Sequence, residues 1–230
     1  MVIAGLQNLS LVDYPGHLAL TVFVQGCNFR CGYCHNPELV TLDAQFECTE
    51  EQVLACISNR KDKIEGVVIT GGEPTLYRDI PDFAKEVKKM GLKVKLDTNG
   101  SNPDRIMGLL RASLIDYVSI DIKTAPSRYD LVTDSENMAD HLSESVYTVM
   151  LSTIPYEFRT TCVPGIVDEE DFREIGALVR GAKNYCLQQF SPGITFDERF
   201  QDVHPYPPQK IHRFKDILES FAISVRTRGF

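Results

Sequence analysis

No long run of Lys or Arg appears anywhere in this chain, and no segment is biased enough to count as low complexity. No stretch approaches the roughly 18 consecutive apolar residues that a membrane span requires. Each absence removes a class. The 24 Lys and Arg stand against 32 Asp and Glu, for a net charge of −8, so there is no electrostatic footprint for nucleic acid. The acidic balance reads as solubility. The residues after Met1 lack the basic region and apolar stretch of a secretory signal, and no membrane partner is expected. No Pro-, Gly- or Ser-rich linker divides the sequence, so a single domain over residues 1–230 is expected. With 43% hydrophobic residues the chain can bury a real core.

What is present is concentrated. Three of the seven cysteines fall in GCNFRCGYCHN, at Cys27, Cys31 and Cys34. An odd, bunched set in a chain without a secretory signal points to a reducing, cytoplasmic setting and to metal rather than disulfides. A structural zinc site wants four ligands, with His35 or Cys48 as the candidate fourth. An iron–sulfur cubane normally takes four thiolates. Three would leave one iron open, and an open position is what a metal needs to bind a substrate.

From His17 onward strand-like and helix-like segments alternate. The strand candidates are LALTVFVQG, GVVIT, KVKLDTNG, DYVSIDIK, EFRTTCVPG and NYCLQQF. Their β-branched, nearly unbroken apolar character suits strands covered on both faces. Between them lie TEEQVLACISNR with Thr49 as N-cap, DIPDFAKEVKKMG ended by Gly91, PDRIMGLLRAS, MADHLSESVYTVMLS and DEEDFREIGALVRGA. PPQKIHRFKDILES follows the sixth strand, and FAISVRT is a candidate terminal strand. Six such units predict an α/β fold with a parallel sheet and outer helices. An open doubly wound sheet and a barrel both fit that pattern. An eight-unit barrel takes about 250 residues, so the expectation is an incomplete, TIM-like (β/α)6 barrel.

The unusual polar residues follow strand ends, the rim where both architectures bind ligands. Gly71, Gly72, Glu73 and Pro74 follow the second strand; Asp97, Thr98, Asn99 and Gly100 end the third. Asp121 and Lys123, two apart on one face, end the fourth, while Arg159 lies in the fifth and Gln188 and Gln189 in the sixth. Polar groups in strands buried on both faces are costly unless paired or functional.

The C-x3-C-x2-C spacing, with GGEP about forty residues later behind a strand, resembles the radical S-adenosylmethionine (SAM) enzymes. SLVDYPG, CHNPE, DTNG and DIK narrow the resemblance to the activating enzymes of glycyl-radical enzymes, above all those of anaerobic ribonucleoside-triphosphate reductase, relatives of the pyruvate formate-lyase activases. The resemblance implies a radical-SAM oxidoreductase with a 4Fe-4S cluster on Cys27, Cys31 and Cys34, whose open iron chelates S-adenosyl-L-methionine. It implies that Tyr33 lies near the adenine, and that Gly71, Gly72, Glu73 and Pro74 receive the methionine ammonium. Asp97, Thr98, Asn99, Asp121 and Lys123 fall to the methionine end or a nearby monovalent cation, and Arg159 matches the Arg five positions before the proline of VPG. Where pyruvate formate-lyase activases carry a His in the sixth strand, this chain reads LQQF, with Gln189 as the substitute. The implied partners are a glycyl-radical enzyme, with anaerobic ribonucleotide reductase first, and a flavodoxin- or ferredoxin-type electron donor. Two other readings stand beside it: a radical enzyme acting on a small molecule, as in 7-carboxy-7-deazaguanine synthases, and a non-catalytic metal-binding module. Cys56, Cys162 and Cys186 read as buried, hydrophobe-like residues.

Overall fold

The computed structural model describes residues 1–41, 48–222 and 224–229. Its frame is one eight-stranded sheet whose spatial order follows the chain. The strands are β1 (Ile3–Ser10), β2 (Ala19–Val24), β3 (Gly66–Gly71), β4 (Lys93–Thr98), β5 (Tyr117–Asp121), β6 (Tyr156–Cys162), β7 (Tyr185–Gln189) and β8 (Val225–Arg228). β1 runs antiparallel to β2 and every later pair is parallel. A one-turn α1 (Pro37–Val40) precedes the connecting helices. These are α2 (Glu50–Ser58), α3 (Ile80–Lys89), α4 (Pro103–Arg111), α5 (Met138–Met150), α6 (Glu169–Leu178) and α7 (Pro208–Glu219).

Strand order decides between the two architectures. A doubly wound sheet reverses direction at a switch point. Here every parallel crossover steps the same way, so right-handed connections place the helices on one face and leave the other as a lumen. Among the described residues β1 and β8 each keep an edge without a strand partner, so the barrel is incomplete.

The alternating elements form where the sequence places them. Thr49 caps α2 through a reciprocal pair: its hydroxyl accepts from Gln52 N at 3.2 Å, and Gln52 Oε1 accepts from Thr49 N at 3.0 Å. Gly91, at φ +81°, lets the chain leave α3. FAISVRT yields β8, with Ile223 outside the described residues. β1 is an addition to the expected strands. Its sequence IAGLQNLS lacks both β-branched runs and a two-residue period, because only its ends are buried.

Side-chain alternation sorts the sheet into two faces. Val94, Leu96, Val118, Ile120 and Phe158 are fully buried on the helix-covered side. Lys95, Asp97, Ser119, Asp121, Glu157, Arg159 and Thr161 alternate with them and face the lumen. The register places Asp97 beside Ser119 and Asp121 beside Arg159. At the lumen's other end, Tyr14 of DYPG packs with Ala19, Val68 and Tyr117. A side chain at Gly66 would meet its ring at 2.9 Å. Ala19, Gly66 and Tyr117 begin their strands, so DYPG plugs the mouth opposite the carboxyl ends.

Candidate cofactor site

The connection after β2 carries Cys27, Cys31 and Cys34, and short backbone bonds fix its path. Gly26 N donates to Leu39 O at 2.8 Å and Arg30 N to Val132 O at 2.8 Å. Phe29 N lies 3.4 Å from the Cys27 sulfur and Asn99 Nδ2 4.0 Å from it. The same amide of Asn99 donates to Asn28 Oδ1 at 2.9 Å, tying the end of β4 to the cysteine loop. Burial pushes Cys31 up to about 12, with Lys123 pulling the other way; Cys27 is raised by the same cause. Until metal displaces their protons, both groups are neutral thiols at physiological pH.

The GGEP segment reaches this loop by close backbone approach. Glu73 N donates to Gly26 O at 2.8 Å, and a Cβ at Gly72 would sit 2.0 Å from the same oxygen. Gly71 adopts φ +111°, and a Cβ there would meet Val24 O at 2.4 Å. The Glu73 carboxylate points inward and is fully buried. Its Oε1 accepts from Thr75 N at 3.0 Å, Thr75 Oγ1 at 2.5 Å and Thr98 Oγ1 at 2.7 Å, and its Oε2 from Asn99 N at 2.6 Å. Burial raises its pKa and these donors oppose the rise. Glu73 therefore clamps the end of β4 to the GGEP turn, with its hydrogen-bonding capacity spent on protein.

A chain of alternating charge crosses three strands. Lys95 Nζ donates to Asp97 Oδ1. Arg159 Nη1 reaches Asp97 Oδ2 at 3.2 Å, and its Nε donates to Asp121 Oδ1 at 2.6 Å. Lys123 Nζ completes the row on Asp121 Oδ2 at 3.1 Å. Burial pushes Asp121 up, but Arg159 and Lys123 outweigh it and hold the carboxyl far below the usual range. Burial likewise works against the charges of Lys123 and Arg159, and their carboxylate neighbours more than restore them.

Asp97, Asp121 and Lys123 of this row border a cavity of about 230 Å3 at the carboxyl ends of the strands. Its wall holds the three cysteines, Tyr33, Gly71 and Gly72 on one side, and Asp97, Thr98, Asn99, Asp121 and Lys123 on the other. The profile of the Radical SAM superfamily matches residues 21–178, which span every one of these positions. The chain belongs to the radical SAM superfamily.

This radical SAM enzyme is 35% identical over 214 residues to a Methanocaldococcus jannaschii protein provisionally named a glycyl-radical enzyme activating enzyme, covering 90% of this chain and 87% of that one. It is 28% identical over 235 residues to the pyruvate formate-lyase-activating enzyme of Clostridium pasteurianum, covering 94% and 96%. The 7-carboxy-7-deazaguanine synthase of Methanothermobacter thermautotrophicus matches at 30% over 174 residues, 74% of this chain and 64% of that one. Among solved structures, Streptococcus suis SuiB bound to S-adenosylmethionine superposes with a TM-score of 0.65 at 14% identity. That match covers 90% of this chain, which spans about half of SuiB (49%). TYW1 with a lysine-pyruvate adduct gives 0.60 at 16% identity, covering 88% and 73%.

The superfamily's cofactors are a 4Fe-4S cluster and S-adenosylmethionine, and the donor set fits them. Among the described residues no three His, Cys, Asp or Glu converge as ligands of one ion would. Three thiols spread along one cavity wall suit a cluster, where each binds a different iron. Of the two candidates for a fourth zinc ligand, His35 shares the cavity wall but is engaged elsewhere, and Cys48 is not on the wall. His35 is exposed, stacks on Phe190 at 5.6 Å and places Nδ1 3.1 Å from Ile194 O. Cys48 lies outside the cavity wall and pairs with Ile3 through its backbone. A monovalent cation fits poorly, because every oxygen of Asp97 and Asp121 already meets a protein cation.

Four of the residues to which the resemblance gives a cofactor contact lie off the cavity wall. Glu73 and Pro74 are buried behind the glycines, and Arg159 stands behind the two aspartates. Gln189 is turned away: its Nε2 donates to Tyr206 O at 2.9 Å. Gln188, in register with the cavity-lining Thr161, occupies the lumen face of β7. The sequence reading thus chose the outward glutamine of the pair, since LQQF alone does not fix which parity faces in.

Two contributors were missed. Lys95 is fully buried two residues before Asp97, and its strand parity could have flagged it. The segment after β7 also straps the cysteine loop. Phe196 N donates to Cys34 O at 2.9 Å and Asp197 N to Gly32 O at 2.8 Å. Phe200, in the 3-10 turn Glu198–Phe200, lies edge-on to Tyr33 at 6.1 Å. A side chain at Gly32 would strike Phe200 at 2.5 Å. No periodicity announces such a strap.

Proposed function

We propose that this enzyme is an activase whose substrate is a protein glycine, carried by a glycyl-radical enzyme and first of all by an anaerobic ribonucleoside-triphosphate reductase. When bound, the reduced 4Fe-4S cluster supplies the electron that splits S-adenosylmethionine into methionine and the 5′-deoxyadenosyl radical that abstracts the glycine α-hydrogen. The chain's own residues bind, orient and shield. Cys27, Cys31 and Cys34 hold the cluster. Tyr33 borders the adenine. Gly71 and Gly72 admit the methionine end, which Thr98, Asn99, Asp121 and Lys123 orient. Glu73 and Arg159 hold those groups in place. The observation that carries the reading is the near full-length match to a glycyl-radical enzyme activating enzyme, 90% and 87% of the two chains. The incomplete barrel supports it, because among the described residues no strand covers the outer edges of β1 and β8, β1 having there only the single bridge from Ile3 to Cys48, and this leaves a side through which a protein loop can reach the cavity. Glycine suits the chemistry: its radical is stabilised by the flanking amides, and no side chain blocks close approach. A flavodoxin- or ferredoxin-type protein in the cytoplasm is the proposed electron donor, in keeping with an oxygen-sensitive cluster.

The test mixes the reconstituted enzyme, S-adenosylmethionine, reductant and candidate reductase without oxygen. A doublet EPR signal on the reductase, collapsing toward a singlet when its glycine α-hydrogen is deuterium, is the expected result. The reading falls if no glycyl-radical enzyme of the same organism acquires a radical while a small molecule from its extract stimulates deoxyadenosine release. That outcome would favour the small-molecule alternative, to which the 30% identity with the deazaguanine synthase points.

A further inference from the structure

A fully buried lysine demands a reason. Taking an ammonium out of water is expensive, and a well-packed apolar residue of similar volume usually serves a core at least as well. Lys95 is nevertheless fully buried on the lumen face of β4. Its only ion-pair partner among the described residues is Asp97, and its ammonium lies 5.8 Å from the centre of the Tyr117 ring. Strand alternation puts positions 95 and 97 on one face, so the pair forms without backbone strain.

The disposition of oxygens around Asp97 gives the reason. A sodium or potassium ion is a hard cation and needs several oxygen ligands to replace its water shell. Asp97 offers Oδ1 to Lys95 and Oδ2 to Arg159. Asp121 offers Oδ1 to Arg159 and Oδ2 to Lys123. The next side-chain oxygen along the chain, the Thr98 hydroxyl, donates to Glu73 and accepts from Gly100 N at 3.1 Å. Three protein cations thus serve two carboxylates, and a fourth positive charge would enter beside two others in a largely buried setting, where like charges are screened less than in bulk water. Glu157 also acts on Lys95 and Arg159 from this face, but it brings its own cation, Arg228 at 3.4 Å, so the cations still outnumber the carboxylates.

We infer that the Lys95 ammonium is a built-in replacement for a monovalent cation at Asp97, so that this enzyme binds and cleaves S-adenosylmethionine without sodium or potassium. Lys95 is a positioning residue. It fixes and neutralises Asp97, which in turn holds Arg159 against Asp121 and leaves Lys123 at the cavity wall. The inference rests on the reading of the cavity as the S-adenosylmethionine site, not on the identity of the final substrate.

The experiment uses the full chain with its reconstituted cluster, photoreduced through a deazaflavin so that no sodium enters with the reductant. Deoxyadenosine release and S-adenosylmethionine affinity are measured in choline, sodium and potassium chloride at equal ionic strength. The wild type is expected to perform alike in all three. Lys95→Ala, which empties the ammonium's position, is expected to lose roughly ten-fold in affinity in choline and to recover it in potassium or sodium. A residue that merely packed would show no such cation-specific rescue. Thallium-205 NMR supplies a readout independent of turnover: a bound-ion signal should appear in Lys95→Ala and be absent from the wild type. A wild type that needs potassium or sodium, or that binds thallium at a site lost in Asp97→Asn, overturns the inference. So does a folded Lys95→Ala that binds S-adenosylmethionine equally well in every salt. Should that variant not fold, Lys95→Met keeps the volume, and the wild-type cation series still decides. No deoxyadenosine in any salt would instead count against the cofactor reading itself.

Discussion

At the scale of the residue, the site depends on carboxylates already engaged by protein. Asp121 is held well below the ordinary carboxylate range, so its stabilisation is present above an unfolded value of about 3.9 and is lost as pH falls toward the folded value. Asp121→Asn leaves Arg159 and Lys123 without an anion between them and is expected to cost about 3 kcal/mol at neutral pH. The gap between wild type and variant should then shrink as the pH is lowered below about 4, measured by urea unfolding of the metal-free chain. A constant gap would mean that Asp121 is not paired as described. Glu73→Gln offers one acceptor oxygen where the carboxylate offers two to four donors. At least one buried donor loses its partner, at about 1–3 kcal/mol, and S-adenosylmethionine affinity should fall with the loosened β4 end while iron is retained. Unchanged stability together with weakened cofactor binding would instead identify Glu73 as a direct contact.

At the scale of the element, the GGEP turn must press against the cysteine loop, and Gly72 is where they touch. Gly72→Ala drives a Cβ to within 2.0 Å of Gly26 O, so the turn or the loop must move. A loss of roughly 1–3 kcal/mol and a clear fall in iron and sulfide per chain are expected, by unfolding and by metal assay. Gly108, inside α4, is the contrasting position, since a Cβ there would meet nothing within 4 Å. Gly108→Ala should stabilise by about 0.4–1 kcal/mol and leave the cluster untouched. The elements themselves were legible because their signals are local: a cap at Thr49, a stop at Gly91, unbroken apolar runs for inner strands. β1 was not, because as an edge strand it buries only its ends and carries no periodic pattern.

At the scale of the whole molecule, the last third of the chain returns to cover what the first third begins. Phe200→Ala removes the ring packed over Gly32 and against Tyr33 and should loosen the cysteine loop. Loss of iron to a chelator should then quicken by roughly ten-fold, the equivalent of about 1.4 kcal/mol. An unchanged rate would reduce the strap to mere adjacency. The sequence by itself determined the parallel α/β character, the three thiols and their spacing, and the placing of GGEP, DTNG and DIK at strand ends, because each is written within a few residues. Only the tertiary structure decided that DYPG plugs the far mouth and that Gln188, not Gln189, takes the lumen face. It alone joined Lys95, Asp97, Arg159, Asp121 and Lys123 into one row. Those outcomes depend on strand register and barrel curvature, and both are set by packing between segments tens of residues apart rather than by any local preference.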